Sequence, residues 1–225
     1  MADLAATSEV FEYRGVDNLY YAKIEKDENV SDGYKTGKPV KLAYVAEIGK
    51  TVETNSETKF YDNKPLIVLN SEGATTLTIT CAPVALDVLA EITGKTYDST
   101  SKAMFEGVRD FGRNFALGYR TRDTRGEYRY VWYLKGSFGV PDETFATENA
   151  GTETNNMTLT YTAVMTEYEF PEKIGEKIAG SVKSIVVDGK GNTNVTVDKF
   201  FKEEVITPKN IGTAFADTTG GTTTT

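Results

Sequence analysis

Three stretches of the chain have the glycine and charge spacing of ligand-binding loops, and each lacks a residue its chemistry requires. Asp188-Gly189-Lys190-Gly191-Asn192 resembles a calcium loop, but Lys190 stands where an oxygen ligand is needed. It reads instead as a hairpin turn between strands near residues 185 and 196. Gly175-Glu176-Lys177-Ile178-Ala179-Gly180 has the spacing of a phosphate loop, yet Ser181 follows where a lysine should reach the phosphates. Gly33-Tyr34-Lys35-Thr36-Gly37-Lys38 has the wrong spacing and runs into Pro39. Neither supports a nucleotide site.

The side chains that could act on a substrate are equally sparse. Histidine is absent, which removes the usual proton shuttle near neutral pH and the commonest metal ligand. Ser-His-Asp and Cys-His nucleophile systems cannot be built. Cys81 is alone, so no intrachain disulfide forms, as suits folding in a reducing cytoplasm. It ends an apolar strand face, where buried packing is the default. The 33 acidic residues are read as solvating charge. The expectation is a protein that is not an enzyme, with no cofactor and no metal site.

At 225 residues the chain suits one large all-β domain that can bury a sizeable core. No apolar run approaches the length of a membrane span, so no membrane insertion is expected, and Met1–Gly15 lacks the apolar stretch of a secretory signal. The net charge of −8 argues against tight nucleic-acid binding, because phosphate neutralisation drives that affinity. Six of the seven arginines nevertheless fall between Arg109 and Arg129. They are read as a solvated or ion-paired strand face; a basic surface meeting an acidic one on a neighbouring subunit is the alternative.

The elements that would position these groups are mostly strands. Alternation of period two predicts strands over Glu127–Phe138, Asn156–Thr166 and Thr76–Cys81. The last two set Met157, Leu159, Tyr161 and Leu77, Ile79, Cys81 against rows of threonine, the pattern of antiparallel sheet with one wet face. Further strands are expected at Leu19–Glu25, Val40–Ile48, Leu66–Asn70, Phe115–Arg122, Ser181–Val187 and Val195–Val197. One helix is expected over Pro83–Gly94, with proline in its first turn and glycine just past its end. Val84, Val88 and Ile92 make its apolar stripe, with Ala85 and Leu89 alongside, and Asp87 and Glu91 face outward.

An ordered set of these segments carries a family resemblance. Gly15-Val-Asp-Asn-Leu-Tyr-Tyr-Ala-Lys23 is followed by the strand at 40–48 and by Glu57-Thr-Lys-Phe-Tyr-Asp-Asn63. Then come the strand and helix over Leu77–Gly94, Tyr128-Arg-Tyr-Val-Trp-Tyr-Leu-Lys-Gly136, and Phe200–Pro208. Together they resemble the major tail protein (tail tube protein) family of long-tailed phages of Gram-positive bacteria. The resemblance covers residues 15 to about 208, and no single segment is as specific as a zinc-ligand set. It divides the chain into an N-terminal arm (1–14), a tail-tube β domain (15–208) and a Thr/Gly-rich tail (209–225).

The resemblance implies a mainly β, β-sandwich or barrel-like fold similar to type VI secretion tube proteins, with one flanking helix (about 83–93) and a long protruding hairpin or loop. Its partners would be itself, as homohexameric rings stacked into a tube, together with tail-tip, tape-measure and tail-terminator proteins. Such a protein is made in the bacterial cytoplasm and resides in the virion tail, where double-stranded DNA passes during genome ejection without specific binding. Four strands from each subunit would close a barrel of about 24 strands, roughly 48 Å across for strands about 4.8 Å apart and tilted about 40°. Inward side chains would leave roughly 35–40 Å, wide enough for a B-form duplex.

Two sets of residues follow as candidates. Thr76, Thr78 and Thr80 with Thr158, Thr160 and Thr162 are candidates for the lumen-facing surface, since hydroxyls give phosphates no anchor. An outward, solvent-facing rim would read identically. The segment Gly49–Pro65 is too long for a tight turn and too polar to hold a core, which reads as a functional arm or a solvated surface loop; the resemblance implies an arm ordered by stacking of the next ring. Its named residues are Lys50, Val52, Glu53, Glu57, Lys59, Phe60 and Tyr61. Two other functions remain open. One is the tube of a phage-tail-like bacteriocin or secretion device. The other is a monomeric receptor- or sugar-binding β-sandwich.

Overall fold

A computed structural model describes residues 10–107, 113–143, 156–190 and 194–215. The fold is mainly β. Strands β1 (Tyr13–Asp27), β2 (Tyr34–Thr36), β3 (Val40–Ala43), β4 (Val45–Tyr61) and β5 (Lys64–Cys81) lead into helix α1 (Leu86–Thr93). Two short strands, β6 (Thr96–Asp98) and β7 (Ala103–Phe105), form a hairpin that lies against α1. Then follow β8 (Phe115–Asp123), β9 (Tyr128–Phe138), β10 (Met157–Ala163), the hairpin β11 (Phe170–Ile174) and β12 (Lys177–Gly180), and β13 (Ser184–Asp188). The chain closes with α2 (Val197–Phe201) and α3 (Ile211–Ala214).

Neighbouring strands pair antiparallel in the order β1-β8-β9-β10-β5-β4, and β3 pairs back onto β1. Because β3 and β4 are separated only by Tyr44, the pairing runs round in a ring. The expected Val40–Ile48 strand is therefore split, its first half bonded to β1 and its second to β5. Closure removes most of the exposed edges that a flat sheet would carry.

The inside of this ring is the first apolar core. Leu77, Ile79 and Cys81 of β5 meet Met157, Leu159 and Tyr161 of β10, with Leu19, Phe115, Leu117 and Tyr133 from the other wall. The Tyr161 hydroxyl donates to the Phe115 carbonyl at 2.7 Å, so its burial leaves no donor unpaired. α1 stops one end of the ring with Val84, Leu89 and Ile92. Gly94 takes the left-handed conformation that ends the helix, as its position predicts. The helix begins at Leu86, later than expected, with Pro83 ahead of it. Glu91 does not face outward; it is half-buried and accepts the Tyr21 hydroxyl at 2.8 Å.

A second core lies outside the ring, on β1, β8, β9 and β13. Trp132, Leu134, Tyr130 and Ala116 are covered there by Phe200, Phe201, Val205 and Ile206. The Trp132 indole N–H donates to the Phe200 carbonyl at 2.8 Å. A Cβ on Gly118 would sit 2.8 Å from the Trp132 ring, so only glycine fits beneath it. β9 is thus buried on both faces over Tyr130–Gly136, although its alternation places Arg129, Lys135 and Ser137 on one side. The expected strand at Val195–Val197 is instead the start of α2, capped by the Thr196 hydroxyl, which accepts the Lys199 N–H at 3.3 Å. Among the described residues no strand follows β13 to complete a hairpin, and residues 191–193 of that expected turn lie outside them. Packing also continues past residue 208, where Ile211, Ala214 and Phe215 join the second core.

One buried charge cluster fastens residues 166–168 to the ring. Lys135 lies 2.7 Å from both Asp27 and Glu167, and Asp27 accepts the backbone N–H groups of Glu167 and Tyr168 at 3.0 and 2.9 Å. Burial pushes the Asp27 carboxyl up, but the two N–H groups and the Lys135 ammonium outweigh it and hold its pKa below the ordinary value. A depressed carboxyl stabilises the fold above its unfolded pKa, about 4, and loses that contribution as pH falls through its lower folded value. Asp27→Asn leaves Lys135 with one exposed partner and is expected to destabilise the fold at pH 7 by about 3 kcal/mol. Melting temperatures between pH 6 and 2 should show a shallower acid decline for the variant.

Candidate functional site

The closed ring leaves one large strand face without cover among the described residues. On β5 and β10, Thr76 stands opposite Thr162, Thr78 opposite Thr160 and Thr80 opposite Thr158. The six predicted threonines therefore form one cross-strand ladder, brought together from positions eighty residues apart in sequence by a register that shifts nowhere along the pair. Their alternating neighbours Leu77, Ile79, Cys81, Leu159 and Tyr161 are fully buried on the other side. Burial of that face dictates the register, because a slip by one residue would expose it.

The polar strip extends sideways. Glu47, Gly49 and Thr51 of β4 stand opposite Thr80, Thr78 and Thr76, and Ser137 of β9 stands opposite Thr162. Beyond Ser137 the next strand-like contact is Asp142, whose N–H donates to the Thr158 carbonyl at 3.1 Å. No lysine or arginine stands in these register positions. Lys135, nearest on β9, is held by Asp27 and Glu167. The strip is hydroxyl-rich and mildly acidic.

The second feature is the far half of β4 and β5. The expected arm over 49–65 is part of a long hairpin paired from Val45↔Cys81 to Tyr61↔Lys64, with register shifts at Val45/Glu47, Val52/Thr54 and Lys59/Phe60. Its apex, Asp62 and Asn63, has φ of 49° and 60°, the double left-handed geometry of a type I′ turn, which Asp and Asn tolerate. From Glu53 to Gly73 almost every residue of this ribbon is exposed on both faces. Its outer part, Thr54 to Tyr61, projects roughly 23 Å at about 3.3 Å per residue.

Of the named arm residues, Phe60 and Tyr61 are 66% and 55% exposed. Lys50, Glu53 and Glu57 are exposed as well, whereas Val52 and Lys59 are partly covered, and Lys59 pairs with Glu57. The sequence reading missed the larger feature on the returning strand. Leu66, Ile67, Val68 and Leu69 are four consecutive apolar residues, all between 44% and 63% exposed. The strand expected at Leu66–Asn70 is present as part of β5, and its exposure is the new feature. At the root of the ribbon Lys183, buried before β13, pairs with Glu72 and donates to the Gly73 carbonyl at 3.0 Å, fixing the direction in which the arm leaves.

Three arginines of the cluster are ion-paired, and Arg122 lies over the Tyr128 ring. Arg120 donates to both Asp17 oxygens at 2.7 and 2.6 Å and lies over the Tyr128 ring, 4.0 Å from its centroid. Arg125 is held by Asp123 at 2.6 Å, and Arg129 lies 3.8 Å from Asp188 and over Tyr13. Arg109 lies outside the described residues. Between β1, β4, β8 and β9 a cleft of about 580 Å³ opens at the arm end of the ring, walled by Tyr119, Tyr133, Ile48 and Val131 with Lys50 at its rim. Among the described residues no group of three or more acidic or cysteine side chains is arranged to hold a metal ion, and no helix is long and apolar enough to cross a membrane.

No protein-family model and no curated protein sequence matches the chain.

Proposed function

We propose that the chain is the repeating subunit of a phage tail tube, stacking as hexameric rings around a channel through which double-stranded DNA passes. The observation that carries this reading is the pairing of two surfaces on one closed ring of strands: a hydroxyl face and a ribbon bearing an apolar run, both left uncovered among the described residues. Large apolar side chains exposed together on a protruding ribbon point to a protein contact. A strand face without cations suits a lumen, because immobile cations would hold phosphates by counterion release. The reading rests also on the resemblance of residues 15 to 208 to major tail proteins. The tube of a tail-like bacteriocin or secretion device would use the same surfaces with a different payload.

The proposal is tested by sedimentation velocity of the purified chain from micromolar to millimolar concentration, with and without a tail-tip complex as initiator. Growth from small species into very large particles is expected. A monomer at every concentration, with initiator present, rejects it.

A further inference from the structure

The arm has a direction, and the opposite end of the subunit has the surface that fits it. The root of the arm at Gly73 and the end of β5 at Cys81 are eight residues apart on one strand, roughly 26 Å at about 3.3 Å per residue. The ribbon therefore leaves from one end of the ring, and α1, which follows Cys81, stops the other. Around α1 stand three large apolar side chains that are substantially exposed among the described residues: Tyr44, 76% exposed with the Lys41 ammonium over its ring, Leu86, 42%, and Phe105, 57%. They sit on three elements gathered at that end. The Tyr44 carbonyl accepts the Ala82 N–H at 2.8 Å just ahead of the helix, Leu86 is the first helical residue, and β7, which carries Phe105, lies against α1.

We infer that the α1 end, through Leu86, Phe105 and Tyr44, is the docking surface for the arm of a second copy of this chain. The inference rests on the tube reading and adds the receiving site and the polarity of stacking. Two different apolar surfaces at opposite ends of one molecule make a head-to-tail contact, which repeats along an axis without closing, whereas an arm-to-arm contact would stop at a pair. Charge agrees with this pairing. Lys64 at the apex of the arm has no carboxylate partner among the described residues, and Asp87 in the first turn of α1 is exposed and has no cation partner there. The cleft beside Lys50 is a poorer receiver, because it opens at the same end as the arm and would require neighbouring copies to face each other.

The test uses two blocked variants of the full chain. Leu66→Asp with Val68→Asp spoils the arm and leaves the α1 end intact; Leu86→Glu with Phe105→Glu does the reverse. All four side chains are substantially exposed, so both variants should melt as wild type does. Neither should form tubes alone at a concentration where wild type does. Mixed together they should form one complex of twice the mass of the separate particles and grow no further, since one good arm and one good α1 end remain. As a second reading, Leu66→Cys combined with Phe105→Cys in otherwise wild-type chain should give disulfide-linked ladders between copies on oxidation of assembled material, with Cys81 buried and silent. Tubes from the α1-end variant, or a mixture that does not associate, overturn the docking site while leaving the tube reading intact. Wild-type chain that never polymerises overturns both.

Discussion

A subunit whose arm is cut back should fold normally and fail to build tubes. Replacing residues 55–71 with an Asn-Gly turn shortens β4 and β5 while keeping Thr54 opposite Glu72 and Glu72 on Lys183. The removed residues touch neither core, so the loss to the single subunit should stay within about 0.5 kcal/mol and the melting temperature within a few degrees. Assembly loses far more. The apolar residues Phe60, Leu66, Val68 and Leu69 each contribute about 1.5–3 kcal/mol when fully buried, and in the proposed hexameric ring six copies of them would act at once. The expected result is no polymer at any accessible concentration. Hydrogen exchange supplies the companion measurement: an isolated two-stranded ribbon is marginally stable in water, so residues 54–71 should exchange quickly in the free subunit and slowly in tubes. Slow exchange in the free subunit, or a shortened chain that polymerises as wild type does, would show that the arm is not the stacking element.

Lysines placed on the threonine ladder should slow DNA. Thr78, Thr158 and Thr160 lie on the uncovered side of β5 and β10, where longer side chains can extend into solvent, so the triple lysine variant should fold and assemble. If the strip lines the channel, each substitution repeats six times per ring and recurs in every ring along the tube. Each cation that neutralises a phosphate adds nearly one unit to the salt dependence of binding, which makes such belts sticky at low salt and slippery at high salt. Ejection should slow by at least about tenfold at low ionic strength and recover as salt is raised. Normal ejection through intact tubes at low salt would place these threonines on the outer surface.

The parts of the fold that the residues announce are those where one local pattern decides the outcome. The alternation of threonine with Leu77, Ile79, Leu159 and Tyr161 marks two half-buried strands and their wet face before any pairing is known, and the structure puts them side by side. Gly94 marks the end of α1 for an equally local reason. The failures share a cause, which is tertiary context. Polar and charged residues of β9 such as Lys135 look solvent-facing in sequence, but Asp27 and the chain around residue 167 cover that face. Val195–Val197 has β-branched residues at both ends, yet the Thr196 cap and the two phenylalanines that follow turn it into a helix packed on Trp132. The hairpin at 45–81 is the long protruding hairpin that the resemblance implies, and its turn carries a local signal of its own. Asp62-Asn63 are residues that accept two left-handed conformations in succession, and the strand-like stretches on either side of them have matching lengths. The exposure of Leu66–Leu69 was not legible, because an apolar run reads the same whether its cover comes from its own chain or from another.

The central claim is that this chain closes into six-fold rings that stack into a hollow tube. Negative-stain electron microscopy of the concentrated protein, grown on a tail-tip complex where spontaneous growth is slow, tests it directly. The expected images show straight hollow tubes whose end views have six-fold symmetry and a lumen of roughly 35–40 Å, the width allowed by about 24 tilted strands. A field of single subunits, or of solid aggregates without a lumen, would contradict it.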